Sequence, residues 1–110
     1  MNDLVFIPAR AGSKGIKNKN LVKINDKPLI VHTIDFIKNF PKFMWFVSTN
    51  GKKIFNISKK SGFKFEYLRP NKLSKSKSRI CDAVFDAHKW LKKNHNLNFK
   101  NIILLQPSSP

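Results

Sequence analysis

The residues best suited to chemistry lie near the start of the chain, in "PARAGSKGIKNKN". Two glycines, Gly12 and Gly15, let the backbone take unusual dihedrals and approach a ligand closely. Successive backbone N–H groups in such a turn form a concavity that suits anions. Ser13 adds a hydroxyl donor, and Arg10 offers a planar fork that matches phosphate oxygens in pairs. Lys14 and Lys19 are point charges able to follow moving negative charge. A di- or triphosphate is the ligand this chemistry implies. The stretch is not a Walker loop, which needs Gly-Lys-Ser/Thr after four spacers, and its glycine spacing differs from the dinucleotide fingerprint.

Something must hold that loop in place. Residues 4–7, a continuous apolar run, read as a buried strand that delivers the loop at its carboxyl end. In open α/β sheets, ligands bind at that end. "NDKP" at 25–28 is turn chemistry ending in a proline suited to a helix start. Ile30, Ile34 and Ile37 then recur at helical spacing, and Phe40-Pro41 stops the helix. Residues 43–49 read as a second buried strand, 52–60 as a short helix stopped by Gly62, and 63–68 as a third strand with one face more exposed. Ile80, Val84, Ala87 and Leu91 mark another helix, with Trp90 beside the stripe. Residues 101–106 read as a fourth buried strand. The alternation predicts an α/β, Rossmann-like layered fold with a mainly parallel sheet. Because the sequence given runs only to "LLQPSSP", the expectation is a fold incomplete within residues 1–110.

The bulk composition narrows the function classes. Of 110 residues 41% are hydrophobic and ten are Phe, which is globular rather than disordered composition. No apolar run approaches the roughly 20 residues of a membrane span, and no signal-peptide pattern opens the chain. Cys81 is the one cysteine, so no intramolecular disulfide can form, and a cytoplasmic setting fits. The net charge of +16 favours polyanions, among them nucleic acid and nucleotide phosphates. Outside the first twenty residues the lysines match a chain that uses Lys and Asn wherever a polar surface residue will do.

Other residues draw quieter readings. His32, His88 and His95 have no metal-ligand spacing, and Cys81 lies near none of them in sequence. Cys81 is expected as a small buried filler. Asp82 and Asp86 are expected to be solvated on one helix face, and Asp35 likewise. The aromatic residues fall in strands and on helix stripes, which assigns them to the core rather than to base stacking.

The run "IPARAGSKGIKNKNL" closely resembles the opening motif of the CMP-N-acylneuraminate synthetases, the acylneuraminate cytidylyltransferases. "KPLIVHTI", "VSTN", "RP" followed by Leu73, and "LLQPSSP" fall in that family's order, so the resemblance spans nearly the whole chain. The related Kdo cytidylyltransferases open similarly, but with a loop closer to Ser-x-Arg-Leu-Pro-x-Lys. The resemblance implies an enzyme that joins CTP to an acidic nine-carbon sugar, releasing pyrophosphate, with magnesium assisting. It implies that Lys14 and Lys19 are catalytic, with Lys19 steadying the departing pyrophosphate. Ala9, Arg10, Gly12, Ser13, Lys14, Gly15, Asn20, Arg69, Ser78 and Gln106 would bind the nucleotide, with Gln106 near the cytidine. The chain departs from the family at Lys17, where proline is common, and in "LSKSKSRICDA". There Lys75 or Ser76 replaces an acidic residue, and the serine nearest the nucleotide is Ser78 or is lost to Arg79. The family's metal-binding aspartates, sugar pocket and dimerisation segment come later in its chain. Residues 1–110 are therefore expected to be the N-terminal part of such an enzyme, cut after the fourth strand and inactive as a lone polypeptide. The full-length form is expected to be a homodimer, without membrane or nucleic-acid partners. The alternatives are a Kdo-type cytidylyltransferase, a small basic nucleic-acid-binding module and a decayed, non-catalytic remnant.

Overall fold

The computed structural model describes residues 3–10, 23–24, 26–74 and 79–107. Its centre is a three-stranded parallel sheet: β1 (Asp3–Pro8) lies between β4 (Met44–Ser48) and β5 (Asn101–Leu104). Val5 sits opposite Trp45 on one side and Ile103 on the other. Leu4, Val5, Phe6 and Ile7 are all buried, as a strand covered on both faces requires. A two-stranded antiparallel ribbon, β2 (Lys23–Ile24) with β3 (Lys27–Pro28), precedes the first helix. Its turn places Asp26 at φ 66°, a left-handed conformation that Asp tolerates better than most residues.

Three helices complete the layers. In α1 (Leu29–Lys38) the buried stripe is Leu29, Ile30, Thr33, Ile34 and Ile37. Pro28 stands just before it and contributes no lost helical hydrogen bond. α2 (Lys52–Lys60) buries Ile54 and Ser58 and presents its lysines outward, and Gly62 follows at φ 114°. α3 (Ile80–His95) buries Ala83, Ala87 and Leu91 and ends at Asn96, held left-handed at φ 52°. The architecture is the predicted Rossmann-like α/β layering around a parallel sheet.

Four expectations need correction. Residues 63–68 alternate between buried and exposed as predicted, yet form no strand ladder. Phe63, Phe65 and Tyr67 face inward onto Phe46, with ring centroids at 5.5, 5.5 and 4.9 Å. The alternation reports one dry and one wet side of an extended segment, not a sheet partner. In α3 the buried stripe runs through Ala83 rather than Ile80, which is 41% exposed. Cys81 is exposed, because two positions before Ala83 it lies on the opposite side of the helix from the buried stripe. Residues 101–104 form a strand, but an open one: among the described residues β5 pairs with β1 alone, and Ile103 and Leu104 are exposed.

The hydrophobic core centres on Phe46, whose ring also neighbours Phe6 and Trp90. The aromatic residues of the strands are thus core residues, whereas on the helices Phe36 and Phe85, expected in the core, lie off the buried stripes at 54% and 67% exposure. Trp90 is half-buried and packs against that core.

Candidate functional site

The carboxyl ends of the strands gather the polar groups. β1 runs into Ala9, which is buried and donates its N–H to the Ser48 carbonyl at 2.9 Å. Arg10 follows, half-buried, and its Nη1 donates to the Ser74 carbonyl at 3.3 Å. β4 ends in Ser48 and Thr49, both fully buried although polar. The Thr49 hydroxyl accepts the Gly51 N–H at 3.1 Å and sets the entry to α2. Asn50 donates to Asn71 Oδ1 at 3.2 Å, tying the end of β4 to the short turn Asn71–Leu73. β5 continues into Leu105, whose N–H donates to the Phe6 carbonyl at 2.9 Å, and then into exposed Gln106.

Arg69 is the buried cation of this end, only 6% exposed. Its own N–H donates to the Thr49 carbonyl at 2.7 Å, which anchors the backbone beside β4. Its Nε donates to Ser48 Oγ at 2.8 Å and its Nη2 to the Ser48 carbonyl at 3.0 Å. A longer contact of 3.5 Å joins Nη1 to the Leu73 carbonyl. Burial pulls the Arg69 pKa below its ordinary value; Tyr67 opposes this and the positive charge of Arg10 adds to it. Arg10 and Arg69 donate to adjacent carbonyls, those of Ser74 and Leu73, so two guanidinium groups meet at one end of the sheet, an arrangement that suits an anion.

The central strand is also where the chain changes direction across the sheet. From β1 the connection through α1 leads to β4 on one side; the route through α3 leads to β5 on the other. Ligands of open α/β sheets sit at such a switch point, outside the carboxyl ends. A cleft of about 300 Å³ bounded by Lys38, Phe40, Trp45 and Lys64 lies at the amino end of β4, away from this point.

Of the residues predicted for the site, the structure brings Arg10 and Arg69 together, with Ala9 between β1 and Arg10 and Gln106 beyond the neighbouring strand. Gly12, Ser13, Lys14, Gly15, Lys19, Asn20 and Ser78 lie outside the described residues. Sequence reasoning missed Ser48 and Tyr67. A hydroxyl directly after a buried apolar run was the available signal for Ser48; Tyr67 read only as a core aromatic. Asp86, expected to be solvated, is instead half-buried and accepts the Tyr67 hydroxyl at 2.5 Å. Asp35 pairs with Lys27 at 3.2 Å on the surface. His88 accepts the Phe99 N–H at 3.3 Å, and among the described residues no three His, Cys, Asp or Glu side chains gather as a metal site.

This geometry defines a class: Rossmann-like α/β proteins with cationic side chains at the carboxyl end of the central strand. Within that class, the chain belongs to the cytidylyltransferase family, whose model matches residues 4–108. It is 34% identical over 111 residues to the CMP-N,N'-diacetyllegionaminic acid synthase of Legionella pneumophila, covering 100% of this chain and 47% of that protein. It is 32% identical over 108 residues to an N-acylneuraminate cytidylyltransferase of Escherichia coli, covering 97% of this chain and 24% of that one. The chain thus spans half or less of the length of these relatives. A solved structure of CMP:2-keto-3-deoxy-manno-octonic acid synthetase complexed with CTP shares the fold. Its TM-score is 0.77 at 22% identity, over 100% of this chain and 42% of that one.

Proposed function

We propose that this chain provides the CTP-binding portion of a cytidylyltransferase that activates a nonulosonic acid of the sialic type. In that reaction the sugar's anomeric hydroxyl attacks the α-phosphorus of CTP. A new P–O bond forms, the bond to the bridging oxygen breaks, pyrophosphate leaves and the hydroxyl proton is lost. The observation that carries the reading is that Arg10 and Arg69 donate to the adjacent carbonyls of Ser74 and Leu73 at the carboxyl end of the sheet.

The roles follow from charge and reach. Arg10 and Arg69 draw the phosphates to the strand ends, while Ser13 and Lys14 hold the triphosphate. Lys14 and Lys19 act on the charge that builds as pyrophosphate departs. Such transfer is mostly positioning and electrostatic stabilisation, and one well-placed donor is worth about 3–4 kcal/mol of barrier. Ala9, Gly12, Gly15 and Asn20 shape the loop against the nucleotide; Ser78 and Gln106 belong to the base side. Magnesium would supply charge neutralisation on the triphosphate, and no step here is assigned to it. The working protein is a cytoplasmic homodimer in this reading, and among the described residues no helix is long and apolar enough to cross a membrane.

Calorimetric titration with CTP tests the reading. Selective binding over ATP is expected, weakened by roughly tenfold or more in Arg10→Ala, since a hydrogen bond to a charged group is worth about 1.5–3 kcal/mol. Equal affinity for both nucleotides, unchanged in Arg10→Ala, would sink it. The net charge of +16 supports a second reading, a basic module that binds nucleic acid. Binding of that kind falls steeply between about 50 and 200 mM salt, whereas discrimination between CTP and ATP should persist. Product formation with neuraminic, legionaminic, pseudaminic and Kdo substrates separates the sugar classes.

A further inference from the structure

Arg69 is docked to the end of β4 through both its backbone and its side chain. Its backbone N–H donates to the Thr49 carbonyl at 2.7 Å. Its guanidinium meets Ser48 twice, with Nε–H on the Oγ at 2.8 Å and Nη2–H on the carbonyl at 3.0 Å. A guanidinium has five N–H donors and no acceptor, so the Ser48 hydroxyl oxygen accepts in this bond. Nε–H and the Nη2–H beside it form one edge of the planar group. Ser48 therefore clamps that edge, and two bonds fix the orientation of the plane as one bond cannot.

The clamp itself is firmly seated. Ser48 and Thr49 are at 0% exposure, and Ser48 lies in parallel register with Pro8 of β1. The Ser48 carbonyl also accepts the Ala9 N–H at 2.9 Å. One residue thus ties Arg69 to the strand end that leads into Arg10.

The clamp leaves donors over. Of the five N–H groups, Ser48 takes two and the Leu73 carbonyl takes one, at 3.5 Å. Among the described residues every acceptor on Arg69 is a neutral oxygen, and one N–H on each of Nη1 and Nη2 has no acceptor. Yet the residue is only 6% exposed. Buried cations are as a rule paired or fully hydrogen-bonded. The longest of the three bonds leads toward Arg10, whose Nη1 donates to the next carbonyl, that of Ser74, at 3.3 Å. We infer that Ser48 is a positioning residue: its hydroxyl and carbonyl hold Arg69 by one edge before any ligand arrives, so that the remaining N–H groups are preset for the nucleotide's phosphates. A preset cation loses less freedom on binding than a mobile one. The inference rests on the nucleotide reading above and adds to it a residue that acts through Arg69.

The test joins a readout without ligand to one with it. The first is hydrogen exchange of the Arg69 Nε–H by NMR in the free 110-residue chain; the second is CTP affinity by calorimetry. Ser48→Ala removes the hydroxyl and keeps the carbonyl. Ser58→Ala removes an equally buried hydroxyl on α2, one that donates to the Ile54 carbonyl at 2.8 Å, and controls for stability alone. Arg69→Met removes the cation through which Ser48 acts. In the unaltered chain, slow Nε–H exchange is expected before CTP is added. Ser48→Ala should speed it about tenfold and weaken CTP binding about three- to tenfold, while Ser58→Ala leaves both within about twofold. Ser48→Ala added to Arg69→Met should cost no further affinity. Fast exchange in the unaltered free chain overturns the proposal with no variant needed. Ser48→Ala behaving as the unaltered chain overturns it too, as do equal losses in Ser48→Ala and Ser58→Ala, or losses in Ser48→Ala and Arg69→Met that multiply. If Arg69→Met does not fold, the comparison of Ser48→Ala with Ser58→Ala decides. If Ser48→Ala does not fold, Ser48→Cys, which keeps only a weak acceptor, takes its place with the same directions expected. If the unaltered chain binds no CTP, the nucleotide reading falls and the positioning claim with it. CTP binding together with any of the other adverse results removes the positioning claim alone.

Discussion

β1 and β5 are near twins in sequence. Residues 4–7 read Leu-Val-Phe-Ile and residues 102–105 read Ile-Ile-Leu-Leu. In the folded chain they part company. Phe6 and Ile7 are at 0% exposure, whereas Ile103 and Leu104 are at 44% and 47%. The side chains are equally apolar, so composition does not decide. Among the described residues β1 has a hydrogen-bonded neighbour on each side and β5 has one. A continuous apolar run states what a strand is able to bury. How much it does bury depends on what the rest of the fold sets beside it.

Substitution makes that contrast measurable. Phe6→Ala should cost about 3–5 kcal/mol, because a cavity opens where Phe46 packs, and denaturant titration reads it as a lower midpoint at unchanged slope. Leu104→Ser on the open strand should stay within about 1 kcal/mol by the same titration. If it costs as much as Phe6→Ala, β5 is covered in solution, and the contrast fails.

Tyr67 sharpens the enclosed side through pH. Burial first, then the hydrogen bond to Asp86, raises its phenol well above the ordinary value. The unfolded chain ionises this group near pH 10, while the folded chain keeps the proton. Above that pH the unfolded state binds fewer protons, so stability falls as pH rises; below it the contribution is complete. Thermal melts between pH 8 and 11.5 should show this alkaline loss, and Tyr67→Phe should flatten it. A limb equally steep in both proteins would mean that Tyr67 is not enclosed. The smallest effect is expected at Cys81→Ser, within about 0.5 kcal/mol by denaturant midpoint, since Cys81 faces water.

Much of this could be read from residue order, for physical reasons that differ by element. α2 was legible to its ends because lysines and a glycine bracket a short amphipathic stretch. β1 and β4 were legible because both are apolar and flanked by polar loops. Residues 63–68 misled because a period of two records wet and dry sides, and a strand partner is only one way to make them. Ile80 misled in α3 because it shares the angle of buried Ala87 and Leu91 but is the helix's first residue, and spacing does not say where along a helix its cover begins. Arg10 was legible from its chemistry beside the glycines, whereas Arg69 was found only through the family's pattern. Ser48 and Tyr67 stayed hidden because their value comes from neighbours that only the fold supplies: a guanidinium 21 residues from Ser48 and a carboxylate 19 residues from Tyr67.

The first strand's second partner has a consequence during synthesis. Asp3 faces Asn101, and their side chains bond at 2.9 Å across 98 residues of chain. A ribosome adds about 5–20 residues per second. This apolar strand therefore emerges roughly 5–20 seconds before its later neighbour exists. Through that interval it has at least one bare flank, a strand edge open to pairing with other chains until the sheet closes.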